Sequence, residues 1–266
     1  PPPPPPGPLP PRPRDPPAPP PSPSPAPAPP ATRGSLAILD GITERFRKAT
    51  PSNDLEKAGV LMRGYDSSND QSKPWLPCKS GWCTHMGDRF AVALVLPGTT
   101  HTYGEGGFIL RPSAVQVNCA YPSDGGSQGQ ICSPPGKTAT CNPGCFKRSC
   151  DPNSWRNWGC LWRPENFKEM IQQTKGHQGM TEVILDADTW ERNLPRTVEA
   201  VYYVVGHGEA RDAKSLAAGR AVHTAFLKDY GLTSEDVPLL GYYGGTQGGD
   251  VPDPNEPYRL APEERA

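Results

Sequence analysis

Long apolar runs are missing from this chain of 266 residues. No stretch approaches the ~20 consecutive apolar residues that a membrane helix requires, and the longest runs, Phe90–Pro97 and Val198–Val205, have the length of strands. A basic cluster is missing too, because 27 Lys and Arg face 28 Asp and Glu for a net charge of −1. Nucleic-acid binding needs a positive surface. We therefore expect neither a membrane span nor a nucleic-acid partner.

Motifs for metals and cofactors are scarce as well. The sequence contains no H-E-x-x-H, H-x-H or C-x-x-C, which are spacings typical of zinc sites. The nearest approach to a metal pattern is His207-Gly208-Glu209, a weak signal. The glycine-rich stretches Tyr103–Gly107 and Gly125–Gly129 do not join a strand to a helix as a nucleotide-binding loop does. We expect no metal, no cofactor and no enzymatic activity.

Proline, by contrast, is concentrated at the start, where it occupies 20 of the first 30 positions. Proline has no N–H and fixes φ near −65°, so residues 1–34 are predicted to form polyproline II, which extends thirty residues over about 90 Å. The tract is interpreted either as a solvated linker or as a glycosylated stalk. Because the chain has no N-x-Ser/Thr sequon, any glycan is expected to be O-linked.

The tract combines contiguous prolines with alternating Ser-Pro and Ala-Pro pairs. This combination resembles the glycomodules of plant and green-algal hydroxyproline-rich glycoproteins. SH3 and WW ligands also use PxxP, but they are intracellular, whereas the cysteines of this chain indicate the cell exterior. The resemblance marks these residues for glycosylation, as hydroxyproline or serine: Pro1, Pro2, Pro3, Pro4, Pro5, Pro6, Pro19, Pro20, Pro21, Ser22, Pro23, Ser24, Pro25, Pro27 and Pro29.

All eight cysteines fall within one segment of 83 residues. Such a density is typical of an extracellular disulfide framework, and the even count favours complete pairing, although the sequence leaves the connectivity open. Each bridge would contribute about 2–4 kcal/mol to the stability of a segment that has few apolar residues. The cysteines assigned to disulfides are Cys78, Cys83, Cys119, Cys132, Cys141, Cys145, Cys150 and Cys160.

The rest of the chain has the pattern of an α+β domain. We predict a mostly antiparallel sheet with helices packed on one side and a disulfide-rich loop lobe, preceded by the polyproline II stalk. The domain is expected to span residues 35–243, between the stalk at 1–34 and a polar Pro/Gly-rich tail at 244–266. The predicted strands are 89–96, 107–121 (with a break at Pro112), 181–187 and 197–205. Predicted helices begin at the Ser35 cap and at Pro164 and cover 212–230, and a short helix leads into a strand over 58–65.

Tryptophans beside the cysteines suggest a binding surface. Exposed aromatic rings near Asn, Asp and Gln can stack on a sugar ring while the polar groups bind its hydroxyls. The alternative, which we favour, is that tryptophan forms a small core where aliphatic residues are few. The candidate sugar contacts are Trp75, Trp82, Trp155 and Trp158.

Four carboxylates surround the end of the third predicted strand. A glycoside hydrolase needs two carboxyl groups about 5–9 Å apart, and the set Glu182, Asp186, Asp188 and Glu191 could supply them. The favoured interpretation is that Asp186 and Asp188 cap a turn, because carboxylates at strand ends commonly do so.

Several longer motifs occur in a fixed order between residues 35 and 240. They are GDRFAVALVLP from Gly87, GGFILRPSAVQVNCAYPSDGGS from Gly106, C-x-P-G-C at 141–145, WRPENFKEM from Trp162, TEVILDADTWERNLPRTVEAVYY from Thr181 and AFLKDYGLTSEDVPLL from Ala225. Together they resemble a module of secreted, hydroxyproline-rich cell-wall and matrix glycoproteins of volvocine green algae. The chain lacks the cysteine motifs of a pherophorin domain, so we place it beside that group. The resemblance implies an extracellular setting and brings no catalytic residues.

The sequence thus predicts a secreted structural subunit of an extracellular matrix, cell wall or cell or ciliary surface filament. A glycosylated stalk would carry a globular head that contacts like subunits or other matrix glycoproteins, and the near-neutral charge is compatible with self-association. The first alternative is a stalk-borne, lectin-like carbohydrate-binding module. The second is a glycoside hydrolase or lyase at Asp186 and Asp188.

Overall fold

A computed structural model describes residues 33–65, 73–76, 89–98, 104–121, 164–174, 181–244 and 256–262. Within these ranges the chain forms five α-helices and eight strands. The helices are α1 (Arg33–Arg47), α2 (Leu55–Ala58), α3 (Phe167–Thr174), α4 (Ala187–Asn193) and α5 (Glu209–Tyr230). The strands are β1 (Val60–Tyr65), β2 (Arg89–Val95), β3 (Gly106–Leu110), β4 (Val117–Tyr121), β5 (Thr181–Asp186), β6 (Val198–Val204), β7 (Leu239–Tyr242) and β8 (Tyr258–Leu260).

The strands form one sheet in the order β4-β5-β2-β1-β3-β6-β7-β8. Neighbouring strands are antiparallel except β6 and β7, which are parallel and joined through α5. A parallel pair needs such a crossover, because its second strand must start at the same end of the sheet as the first. The α+β class with a mostly antiparallel sheet is therefore confirmed.

Both faces of the sheet are buried. All seven residues of β6 are buried, and side chains that alternate along it belong to two separate clusters. The α5 face carries Leu61, Val183 and Val201, and helices α2 to α5 pack against it. The α1 face carries Met62 and Tyr202 and is covered by Ile42 and Phe46 of α1. The prediction that the helices pack on one side is wrong, because α1 lies on the face opposite the other four.

The predicted strands are otherwise confirmed with small shifts of their bounds, and a 3-10 turn at Pro112–Ala114 separates β3 from β4 where the break was expected. Two features differ. Helix α4 lies between the strands predicted at 181–187 and 197–205, where no helix was predicted, and it includes the last residue of the first of these strands. Strand β8 lies inside the expected polar tail, and its Tyr258 and Leu260 are buried against β7 and α1. The tail prediction is wrong for this stretch, since pairing with β7 buries it.

Helix α5 covers the predicted range 212–230 and begins three residues earlier, at Glu209. Gly219, His223 and Phe226 are buried on one stripe, and the His223 ring nitrogen Nε2 lies 2.7 Å from the Val237 carbonyl oxygen, which gives this histidine a structural role. The helix ends at Gly231, whose φ of 65° is the left-handed conformation that glycine adopts without strain. Within the described ranges, every helix is too short or too polar to span a bilayer.

Gly107 lies where β3 approaches β1 most closely. A Cβ atom added at Gly107 would lie 1.9 Å from the Arg63 carbonyl oxygen, whereas one added at the exposed Gly41 of α1 would meet nothing within 4 Å. The same substitution at these two glycines therefore meets opposite constraints.

We predict that Gly107→Ala lowers the free energy of unfolding by about 2–3 kcal/mol or more, because β1 or β3 must move to admit the methyl group. Gly41→Ala is the matched control and should raise it by about 0.5–1 kcal/mol, since alanine is the better helix former. Urea unfolding followed by circular dichroism measures both changes. Equal stabilities of the two variants would contradict this register of β1 and β3.

Candidate functional site

Most of the predicted site residues lie outside the described residues. This holds for the prolines and serines assigned to glycosylation, for Trp82, Trp155 and Trp158, and for every assigned cysteine except Cys119, which belongs to β4. The polyproline II stalk and the disulfide framework therefore stay predictions.

Trp75 is the candidate sugar contact that the structure does describe, and it is buried. Its side chain is 1% exposed, and its ring makes edge-to-face contacts with Phe226 at 5.4 Å and Tyr230 at 6.5 Å between centroids. The Trp190 indole N–H donates to the Trp75 carbonyl oxygen at 2.8 Å. The prediction of a sugar contact is wrong for Trp75, because the ring fills the core beneath α5 and has no surface to offer a ligand. The core interpretation is confirmed for this residue.

Of the four carboxylates around β5, the structure describes the side chains of Glu182, Asp186 and Glu191, whereas the side chain of Asp188 lies outside the described part of the chain. Asp186 caps α4 by accepting the Thr189 N–H at 2.7 Å, which confirms the capping interpretation for Asp186. Glu182 is buried four residues earlier on the same strand, so its Cα lies about 13 Å from that of Asp186.

The described residues also offer no metal centre. No group of three or more His, Cys, Asp and Glu side chains within them is placed to hold a metal ion. The His207-Gly208-Glu209 pattern is split between elements, because His207 lies in the loop after β6 and Glu209 begins α5.

Helix α1 connects the proline-rich tract to the sheet. It begins at Arg33, two residues before the predicted cap, so Ser35 lies inside the helix. The Ser35 hydroxyl instead donates to the Ser234 carbonyl oxygen at 2.8 Å. A Cβ added at Gly34 would lie 2.9 Å from the Glu235 carbonyl oxygen. The first turn of α1 is therefore pinned against the loop that precedes β7.

The rest of α1 is fixed by apolar and ionic contacts. Ile42 and Phe46 are fully buried, and the Phe46 ring meets the Tyr258 ring edge-on at 5.9 Å. The Arg45 guanidinium hydrogen-bonds the Glu199 carboxylate of β6, and these side chains are only 11% and 10% exposed. The sequence signal for this pair is an acidic residue within an apolar strand, because a buried carboxylate needs a cation.

Three tyrosines stack beside this ion pair on the α1 face. The Tyr242 ring lies 5.2 Å from that of Tyr258 and 5.9 Å from that of Tyr202. Burial raises the pKa of Tyr242 well above its ordinary value, and the neighbouring Tyr258 and Tyr202 raise it further. Burial likewise raises the pKa of Tyr258, although the charge of Arg45 opposes the change.

The proline-rich tract is attached near one edge of the sheet, and the cysteine-rich residues 122–163 are attached at the other edge. The tract meets α1 beside β7, whereas residues 122–163 follow the edge strand β4. The chain returns at the turn Pro164–Asn166, which packs against β4. Asn53 fixes this return by donating to the Glu165 carbonyl oxygen at 2.6 Å and accepting the Lys168 N–H at 2.7 Å. Six strand intervals, about 29 Å, separate β4 from β7.

A group of polar residues, called the polar cluster below, lies at the end of the sheet where β1 and β6 end and β3 begins. Three of its side-chain atoms are buried without a hydrogen-bond partner: the Tyr65 hydroxyl, Glu105 Oε2 and His207 Nε2. Arg211 Nε lies 3.8 Å from Glu105 Oε1, and Lys214 Nζ lies 3.9 Å from Glu105 Oε2. Both cations stand beyond hydrogen-bond distance. Burial, and then the charge of Glu105, raise the pKa of Tyr65.

Asp212 orders the loop that carries His207. Its carboxylate accepts the N–H groups of Gly206 and His207, both at 3.0 Å. Gly206 and Gly208 have φ near +96° and +97°, a region that glycine enters most readily.

Sequence reasoning took Tyr103–Gly107 as a loop and His207 as a weak metal signal. A polar residue between glycines, next to a buried strand, is the signal that could have identified both segments.

Known proteins offer no template for this arrangement. Comparison with profiles of protein families, with curated proteins and with solved structures finds no match to this chain. Any function has to be inferred from the chemistry of its own residues.

We predict that Glu199→Gln lowers the free energy of unfolding by about 2–3 kcal/mol, because it removes the carboxylate that hydrogen-bonds Arg45 in a nearly buried site. The Glu56 carboxylate, 3.6 Å from the Arg45 guanidinium, is then its remaining partner and limits the loss. The exposed pair Arg47 and Glu44 provides the control, and Glu44→Gln should cost less than about 0.5 kcal/mol. The double variant Arg45→Met with Glu199→Met should recover most of the loss, since it buries no unpaired charge. Urea unfolding measures the free energy of unfolding of all three variants. Similar losses for Glu199→Gln and Glu44→Gln would show that the pair of Arg45 and Glu199 is not buried.

Alkaline pH should unfold the domain through its buried tyrosines. Unfolded tyrosine loses its proton near pH ~10, whereas Tyr65, Tyr242 and Tyr258 have raised pKa values in the fold. Stability should thus be level below pH ~10 and fall above it, by up to about 1.4 kcal/mol per pH unit for each tyrosine. Denaturant titrations across this range measure the fall, which Tyr242→Phe should make shallower. Ionisation of all nine tyrosines before any unfolding would contradict the burial.

Proposed function

We propose that this chain is a secreted structural subunit of an extracellular matrix, cell wall or surface filament. Residues 1–32 would form the O-glycosylated, hydroxyproline-rich stalk, since Arg33 and Gly34 already belong to α1. The α+β domain would be the head that assembles with like subunits or other matrix glycoproteins. The observation that carries the proposal is the attachment of α1, the helix that directly follows the proline-rich tract.

The attachment suits a tether. A pull on the tract reaches α1 at its first turn, where Ser35 is bonded to the loop before β7. The load then spreads over Ile42 and Phe46 and over the pair of Arg45 with Glu199. Because these contacts also complete the core of the α1 face, the helix cannot be pulled away without exposing the sheet. A flexible linker would need no such anchoring.

The position of the cysteine-rich segment supports the role of an assembly head. Residues 122–163 leave and rejoin the fold beside β4, at the edge farthest from the tract. Disulfides would stabilise this segment by restricting its unfolded state, and a lobe at the far edge could contact a partner without interference from the stalk.

The two alternative functions, a hydrolase and a lectin-like module, keep different numbers of their candidate residues. A hydrolase or lyase at Asp186 and Asp188 is less favoured, because the Asp186 carboxylate caps α4 by accepting the Thr189 N–H. A lectin-like role keeps Trp82, Trp155 and Trp158 as candidates and loses Trp75.

The test is chemical analysis of the native protein from its source. We expect an intact mass above that of the unmodified chain, hydroxyproline with arabinose or galactose on the peptide of residues 1–34, and no reactive thiol before reduction. A recombinant chain from a host that does not hydroxylate proline is the control. Unmodified proline throughout would refute the stalk, and eight reactive thiols in freshly isolated protein would refute the disulfide framework.

A further inference from the structure

A partly exposed arginine on the edge strand β8 lies against an aromatic ring and has no carboxylate beside it. The Arg259 guanidinium carbon lies over the Tyr243 ring, 5.1 Å from the ring centroid. We propose that Arg259 and Tyr243 bind a uronate, an acidic sugar residue, with the guanidinium on its carboxylate and the tyrosine hydroxyl on a neighbouring sugar hydroxyl. The choice of a sugar as the carrier of the carboxylate rests on the proposed function, whereas the affinity of Arg259 for an anion does not.

Strand register brings the two side chains together. Arg259 of β8 pairs with Gly241 of β7, and Tyr243 lies two residues beyond Gly241, so Arg259 and Tyr243 are diagonal neighbours on one face of the sheet. The Tyr243 N–H donates to the Pro257 carbonyl oxygen at 2.9 Å, which extends the pairing of the two strands past Tyr242. Both residues therefore belong to paired, extended backbone, and their spacing does not depend on a free loop.

Solvent reaches both side chains. Helix α5 packs mainly on β3, β6 and β7, so the outermost strand β8 lies beside this helix. Tyr243 and Arg259 are accordingly partly exposed, whereas Tyr242, Tyr258 and Leu260, which point to the α1 face, are buried. A ligand can therefore approach the guanidinium and the phenol from outside the fold.

The guanidinium has N–H donors that no protein carboxylate uses. Within the described part of the chain, no Asp or Glu side chain forms an ion pair with Arg259, and the contact that the structure shows for its guanidinium is the Tyr243 ring. Arg45, the cation of the α1 face, is by contrast paired with Glu199. A cation–π contact does not satisfy the N–H groups of arginine, so those of Arg259 remain available to an anionic ligand.

The chemistry of the two side chains favours a planar anion on a hydroxylated carrier. Guanidinium binds a carboxylate through two parallel hydrogen bonds, and the tyrosine hydroxyl beside it can donate or accept one more. A uronate carries its carboxylate and a hydroxyl on adjacent ring carbons, and its C–H groups can lie against an aromatic ring. A glutamate or aspartate of a peptide offers the carboxylate without the hydroxyl, so it would leave the Tyr243 hydroxyl unused.

The Tyr243 ring orients the guanidinium before a ligand binds. A free arginine side chain has many rotamers, and fixing them on binding reduces affinity. Contact with the ring restricts the rotamers of Arg259 in the unbound protein, and the ladder of β7 and β8 fixes the backbone on both sides. The ligand therefore meets a guanidinium that already has its position.

The proposal is tested by titrating the full chain with galacturonate and following the arginine Nε–H signals by heteronuclear NMR. We expect the Arg259 signal to shift with a Kd on the order of 1 mM, since one ion pair and one hydrogen bond are involved. Galactose has the same ring without the carboxylate and should bind at least about tenfold more weakly.

Variants of the two side chains separate their contributions. Arg259→Gln should weaken binding of galacturonate about tenfold or more, because it removes the charge-assisted hydrogen bonds. Arg259→Lys keeps the charge and loses the two-point geometry, so a loss of about threefold to tenfold is expected. Tyr243→Phe keeps the ring and loses the hydroxyl, which should cost about twofold to fivefold. Arg47→Gln, the same exchange on α1 at the opposite face, is the matched control and should leave the Kd unchanged.

Stability measurements separate a binding defect from a folding defect. Arg259 is partly exposed and has no ion pair in the described part of the chain, so Arg259→Gln should unfold at the temperature of the wild type. Galacturonate should raise the Tm of the wild type and not that of this variant. No saturable binding, or equal Kd values in the wild type and in Arg259→Gln, would overturn the proposal. Equal binding of acetate or of a glutamate peptide, or tighter binding of a sulfated galactose, would overturn the assignment to a uronate.

Failure of this site and failure of the proposed function are distinguishable. The titration uses the recombinant chain without modified proline, so its outcome does not depend on the stalk. Unmodified proline in the native protein would refute the stalk and leave the binding of galacturonate unaffected. Absence of galacturonate binding would overturn the site at Arg259 and leave the composition of the stalk unaffected.

Discussion

Burial of the central strands on both faces is the constraint on which the rest of the structure depends. Every residue of β6 is buried, so apolar cover is needed above and below the sheet. Helices α2 to α5 supply one cover, and α1 supplies the other. Glu199 adds a specific requirement, because a carboxylate in this strand needs a cation, and Arg45 of α1 provides it. The helix that follows the proline-rich tract is therefore an integral part of the core.

Local patterns predicted those elements whose sequence carries its own signal. The apolar runs of β2, β5 and β6 and the long stripe of α5 were found close to their observed bounds. Elements that depend on distant partners were missed. Strands β7 and β8 have only four and three residues, and β8 lies beyond a Pro/Gly-rich stretch that resembles a tail. Helix α4 buries little besides Trp190, too weak a pattern to distinguish it from a turn.

The difference between local signals and distant partners also explains which candidate site residues could be predicted from the sequence. Composition placed Trp75 among polar residues, but whether its ring faces water is decided by Phe226 and Tyr230, about 150 positions later in the chain. The capping role of Asp186 was predictable because it involves only Thr189, three residues away. The cluster of Tyr65, Glu105 and His207 was not, since it exists only because β1, β3 and β6 are neighbours. No window of sequence contains that adjacency.

Strand direction determines where the attachment of α1 and the polar residues Tyr65, Glu105 and His207 lie in the domain. Strands β1 and β6 both run toward the cluster, so Tyr65 and the loop after Val204 lie at one end of the sheet. Helix α5 then runs back, because β7 starts parallel to β6, and the Ser234 loop lies at the opposite end. The proline-rich tract therefore joins the head at the end away from the cluster. Glu105 and His207 therefore lie at the end of the sheet opposite to the end where Ser35 of α1 is bonded to the loop before β7.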